Sequence, residues 1–168
     1  MKLLENAQIV EGFPPRDLSS GANTGDWVSL KNYKHITILF GSGVGTAGDD
    51  PTLTIQQAQD VAGTGAKALN FTTIYRKQAA TSLAAVGQWT KATQALANSY
   101  TDSDAAEQDA LWAVEFDADQ LDVDGGFDCV QASVADVGVN AQPGFLLYIL
   151  TEPRYPSAPE SMLSAIVD

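Results

Sequence analysis

The sequence predicts an all-β protein: an antiparallel β-sandwich, jelly-roll-like, with an extended N-terminal arm. Three observations carry that expectation. Apolar and polar residues alternate with period two in about seven or eight short segments. Clusters of Gly, Asp, Asn and Ser separate those segments. No long amphipathic helical stripe lies between them, which argues against βαβ units.

The elements follow in order. Residues 1–25 read as an arm. Its apolar residues Leu3, Leu4, Ile9, Val10 and Phe13 are interrupted by Gly12, Pro14 and Pro15, then by a Ser/Gly/Asn joint. Five large apolar side chains call for docking, either on the arm's own domain or on a neighbour. The sandwich is expected over 26–156. Val28 and Leu30 oppose Trp27 and Ser29, and Ile36, Ile38 and Phe40 oppose His35, Thr37 and Leu39. Gly41 to Asp50 reads as a flexible hairpin loop, followed by a strand around Leu53 and Ile55. Leu69, Phe71 and Tyr75 are expected on one face of the next strand.

Residues 79–98 are alanine-rich, but Gly87, Trp89, Thr90 and Thr93 favour strand and loop over helix. Asp102 to Glu107 has a cap-like start and suits one helical turn. Trp112, Val114 and Phe116 oppose Ala113, Glu115 and Asp117. An acidic hairpin is expected between Glu115 and Asp128, turning at Asp122 to Gly126. Val130, Ala132 and Val134 then oppose Cys129, Gln131 and Ser133. The run from Phe145 to Leu150 is apolar on both faces, so it is central or covered on one side. Residues 157–168 read as a C-terminal tail.

Composition bounds the function. The chain has 168 residues, enough for one domain with a real core. Nine Lys and Arg face 21 Asp and Glu, a net charge of −12. Residues 1–84 hold seven residues of each sign, whereas 85–168 hold two basic and fourteen acidic. Such a chain repels phosphate backbones and anionic membranes, so neither nucleic acid nor membrane is expected as a partner. The start reads as leaderless, and synthesis in a cytosol is the expectation.

The chemical motifs are thin. Cys129 and His35 are single, which removes an internal disulfide, multi-cysteine zinc sites and multi-histidine metal sites. Cys129 reads as a packed thiol with no basic neighbour in sequence. Gly43-Val44-Gly45-Thr46-Ala47-Gly48 fits a dinucleotide fingerprint in letters, but Asp49-Asp50-Pro51 follows where a helix is required. An EF-hand alignment on Asp122, Asp124 and Gly125 fails because Gln120 and Gln131 stand where acids are needed. Calcium binding of another kind stays an open alternative for the acidic segment. Trp112 reads as core, and Trp89 as the best candidate for an exposed ring.

Several segments together resemble a family of small structural proteins from tailed-bacteriophage virions. They are Asp26-Trp27-Val28-Ser29-Leu30-Lys31-Asn32-Tyr33 with Ile36-Thr37-Ile38, and Leu53-Thr54-Ile55-Gln56-Gln57-Ala58 with Gly63-Thr64-Gly65-Ala66-Lys67-Ala68-Leu69. Leu121-Asp122-Val123-Asp124-Gly125-Gly126-Phe127 and Glu152-Pro153-Arg154-Tyr155-Pro156 complete them. The order of the segments over residues 26–156 carries the resemblance. It implies a non-enzymatic capsid decoration or cement protein on the virion exterior. Its partners would be the major capsid protein and copies of itself, a homotrimer being the natural fit to local threefold positions. A tail or head-tail joining protein and a carbohydrate-binding sandwich using Trp89 are the alternatives. No cofactor, metal or catalytic residue is expected. The expected contacts are Leu3, Leu4, Ile9, Val10 and Phe13, with Arg154 and Tyr155.

Overall fold

The computed structural model describes residues 2–167. The strands, in chain order, are β1 (Ala7–Asp17), β2 (Asn23–Thr24), β3 (Val28–Ser29), β4 (Tyr33–Ser42), β5 (Thr52–Ala58), β6 (Lys67–Ala68) and β7 (Phe71–Ala79). Then come β8 (Thr90–Ala97), β9 (Ser99–Thr101), β10 (Asp109–Asp117), β11 (Cys129–Val134) and β12 (Pro143–Pro153). Helical structure among the described residues is confined to 3-10 turns, including Leu3–Glu5, Leu83–Ala85 and Ala105–Glu107. None of these is long and apolar enough to cross a membrane.

All pairings are antiparallel and fall into two sheets. The large sheet has the order β1-β12-β4-β10-β7-β8, and the small sheet β2-β11-β5-β6, with β3 beside β11 and β9 beside β5. The all-β antiparallel sandwich read from the alternation is the fold observed. The chain passes repeatedly from one sheet to the other, which gives it its jelly-roll character.

The core lies between the sheets and follows the period-two pattern. Ile36, Ile38 and Phe40 of β4, Trp112, Val114 and Phe116 of β10, and Leu146, Tyr148 and Leu150 of β12 point inward. They meet Leu53, Ile55, Val130, Ala132 and Val134 of the small sheet. Tyr100 and Phe40 pack on Trp112 at centroid distances of 4.9 and 5.4 Å. At the margin of this core the partly exposed Arg76 pairs with Asp102, whose carboxylate also accepts from the Tyr100 hydroxyl at 3.0 Å. This ion pair links the strand β7 to the segment that follows β9.

The segment expected as an arm is extended, and its docking partner is its own domain. β1 lies along β12 with Ile9 opposite Ile149 and Val10 opposite Tyr148. A bulge between Glu11 and Phe13 admits Gly12, where a Cβ would lie 2.5 Å from the Leu146 side chain. Pro14 and Pro15 are tolerated because β1 is an edge strand and its outer N–H positions need no ladder partner. Phe13 (2% exposed) and Leu18 (0%) are core residues.

Three local expectations are corrected. The stretch between Glu115 and Asp128 is not a hairpin, because β10 lies in the large sheet and β11 in the small one. Two 3-10 turns, Ala118–Gln120 and Val123–Gly125, carry the chain across, and Gly126 at φ 79° ends the second. The glycine-rich 41–50 segment likewise joins the two sheets. It is pinned by Gly45 N–H to the Ala106 carbonyl at 2.7 Å and by Gln142 to the Gly43 carbonyl at 3.0 Å. Finally, Leu69, Phe71 and Tyr75 do not share a face. A register shift between Phe71 and Thr73 turns Ile74 inward and Tyr75 outward. The 79–98 segment is a 3-10 turn, loop and strand, as its β-branched residues favour. The tail folds back: the Ser29 amide donates to the Ala165 carbonyl at 2.7 Å, the Tyr33 hydroxyl donates to the Leu163 carbonyl, and Ala165 is buried.

Candidate interaction surfaces

Two surfaces stand out, and both derive from the large sheet. The first is its end beyond Ala7 and Thr151. β1 and β12 pair Ala7 with Thr151, so residues just before Ala7 and just after Thr151 emerge together. Glu5 and Asn6 line one depression with Pro156 to Pro159. Leu3 and Leu4 are 50% and 56% exposed, and Tyr155 is 67% exposed. These three are among the exposed large apolar side chains of the chain. Arg154 is exposed there too and lines a second hollow with Lys34, Asp117, Asp119 and Glu152. Glu152 holds φ 55°, a left-handed conformation that a non-glycine residue rarely adopts.

This end unites four of the seven expected contact residues: Leu3, Leu4, Arg154 and Tyr155. The other three are distributed differently. Ile9 is exposed but lies on the outer face of the sheet, opposite Ile149. Val10 packs against the core, and Phe13 is inside it. Neither Val10 nor Phe13 is available to a partner without opening the sheet.

The second surface is the outer face of the same sheet, which sequence reading left unassigned. Its central rows are read from the ladder registers. One row runs Glu11, Leu147, Leu39, Ala113, Tyr75, Lys91 from β1 to β8. The next places Phe145, Gly41, Leu111 and Lys77 side by side. The Phe145 ring covers Gly41, where a Cβ would come within 2.4 Å of it. Leu39, Tyr75, Trp89, Leu111, Ala113 and Ile149 share one shallow apolar depression. The signal in the sequence was the two-sided apolar run 145–150.

The three tryptophans separate as expected for two of them. Trp112 is fully buried, and Trp89 is 43% exposed with the Lys77 ammonium 5.2 Å from its ring centre. Trp27 is half-buried over Gly63. His35, at the corner of the outer face, has Nδ1 2.8 Å from Asp117 and Nε2 3.6 Å from Glu115.

The acidic crossing is internally used. Asp122 pairs with Lys67 and accepts from the Gly125 amide at 3.1 Å, which holds its carboxyl below the usual carboxylate range. Lys67 also sits 3.8 Å above the Phe127 ring. Among the described residues no group of three or more His, Cys, Asp or Glu side chains converges on a metal position. Cys129 is buried, with Sγ 3.1 Å from the Asp128 carboxylate.

Comparison with protein-family models, with curated proteins and with solved structures gives no match to this chain.

Proposed function

We propose that this chain is a non-enzymatic virion structural protein of a tailed bacteriophage. It acts as a capsid decoration or cement protein that binds the major capsid protein and bridges neighbouring subunits from outside. The observation that carries the reading is that exposed Leu3, Leu4, Arg154 and Tyr155 lie on the two segments that leave the Ala7–Thr151 end of the large sheet. Apolar anchors beside an arginine are the composition of a protein-binding patch. The ordered segments between Asp26 and Pro156 that resemble structural proteins of tailed-phage virions give the reading its class. The all-β sandwich suits it, since such domains tolerate assembly through faces and ends.

The test uses variants that leave the fold intact. Removal of residues 1–20 would delete all of β1 and with it Phe13 and Leu18, so it cannot separate docking from folding. Leu3→Ser, Leu4→Ser and Tyr155→Ser change only exposed side chains. The triple variant should keep the β-sheet circular dichroism spectrum and bind protein-depleted capsids at least tenfold more weakly. Binding equal to that of the parent chain would overturn this assignment of the surface.

A further inference from the structure

We propose that the outer face of the large sheet seats the same face of a second copy, about a two-fold axis running along the strands between β4 and β10. This goes beyond the capsid-binding reading, which concerns the end of the sheet, and puts a two-fold pair in place of the homotrimer that the resemblance implies.

The outer face is self-complementary. An isologous interface requires a patch that matches itself after rotation. Such a rotation exchanges the β1 edge with the β8 edge. In the row Glu11, Leu147, Leu39, Ala113, Tyr75, Lys91 it therefore sets Leu39 against the partner's Ala113 and Leu147 against the partner's Tyr75. Large residues meet small or flat ones at the centre. At the ends, the acid Glu11 meets the partner's Lys91, twice by symmetry. In the adjacent row Phe145 meets the partner's Lys77. Charge complementarity of this kind fixes register and orientation.

The identity of the occupant follows from charge. At −12 net, two copies repel one another over most of their surface. On the outer face Lys91, at the β8 edge, shares a row with Glu11 at the β1 edge, Lys77 lies in the adjacent row, and Glu115, which also lines the depression, falls opposite the partner's Thr37. Area agrees. Six strands about 4.8 Å apart and roughly 30 Å long give a face of about 700 Å². A standard interface takes about 800 Å² from each partner. Aligned packing of two twisted sheets is an ordinary sandwich geometry.

The experiment is sedimentation equilibrium on the purified full chain across a micromolar concentration series. The parent chain should weigh about twice its 17.7 kDa monomer mass. Lys91→Glu, an exposed change, should weaken dimerisation by at least tenfold by setting acid against Glu11. Glu11→Lys combined with Lys91→Glu should restore it. Leu39→Asp should give monomers with the parent's circular dichroism spectrum. A parent chain that is monomeric throughout overturns the proposal. So does a dimer or trimer indifferent to both Lys91→Glu and Leu39→Asp. A monomer in which Lys91→Glu instead abolishes capsid binding gives the face to the capsid protein and overturns self-association. The Leu3, Leu4 and Tyr155 variants leave this readout unchanged, so failure here is distinguishable from failure of the capsid-binding reading.

Discussion

The hydroxyl oxygen of Tyr148 lies 2.9 Å from the amide nitrogen of Ala132 and accepts its proton. A side chain of the large sheet thus satisfies a backbone group of the small one at the centre of the sandwich. Tyr148 is fully buried, and Gly25 packs so closely that a Cβ there would lie 2.5 Å from the same hydroxyl and 2.7 Å from the Ala132 carbonyl. Tyr148→Phe keeps the ring and orphans the Ala132 N–H. It should destabilise the fold by about 1–3 kcal/mol, the cost of a buried unpaired donor. Urea denaturation with an unchanged slope and a lower midpoint is the expected result. A midpoint within error of the parent would show that the amide finds another partner.

The position of Phe13 gives a second prediction. Phe13→Ala should cost about 3–5 kcal/mol, as for a buried aromatic residue. Leu3→Ala and Leu4→Ala, on exposed side chains, should stay within about 0.5 kcal/mol. Thermal denaturation of the three variants separates a sheet strand from an appended arm. Three similar midpoints would contradict the description of β1 as an integral strand.

Alkaline unfolding is the third. Burial raises the Tyr148 and Tyr33 hydroxyls above the usual tyrosine value of 10.0. Both groups are held neutral in the fold, so their contribution is complete below about pH 10 and is lost as pH climbs beyond it. Ionised Tyr33 no longer donates to the Leu163 carbonyl, so the C-terminal segment should loosen first. Absorbance at alkaline pH should show Tyr33 and Tyr148 titrating late, together with unfolding. Ionisation of these two before the fold is lost, identified with Tyr33→Phe and Tyr148→Phe, would contradict it.

Acid works in the opposite sense. Backbone amides of Ser19 and Gln142 hold the Asp17 carboxyl below 3.8, hydrogen bonds from Thr64 do so for Asp60, and Lys67 for Asp122. Depressed values mean that these groups stabilise the fold fully above about pH 4 and cease to as pH falls further. Stability should be flat from neutral to about pH 5 and decline below pH 4. Asp60→Asn should reduce that decline, as measured by melting temperature against pH.

Much of the fold was legible because burial on one face imposes period two on the sequence. The alternation around Ile38, Val114 and Ala132 reads directly as inward and outward sides. What alternation does not encode is which sheet a strand joins. The acidic 115–128 stretch has the turn residues of a hairpin, yet β10 and β11 part company. β1 was obscured because Gly12 and the tandem prolines are strand breakers in the middle of a sheet, and only its edge position makes them harmless. The proposed contact residues were half legible. Exposed Leu3, Leu4 and Tyr155 were singled out as apolar residues near the termini. That they share one end depends on the pairing of Ala7 with Thr151, a relation between opposite ends of the chain. The outer face could not be read as a surface before its rows were aligned by the β4, β10 and β12 registers.

The central claim is that this protein coats a capsid. Its most direct test is the copy number of the chain in purified virions, counted against the major capsid protein by quantitative mass spectrometry. The account predicts a number comparable to that of the capsid protein, and intact heads that lose the chain should break at lower temperature. A handful of copies per particle would assign the chain to the tail or head-tail junction, and its absence from purified particles would contradict the account altogether.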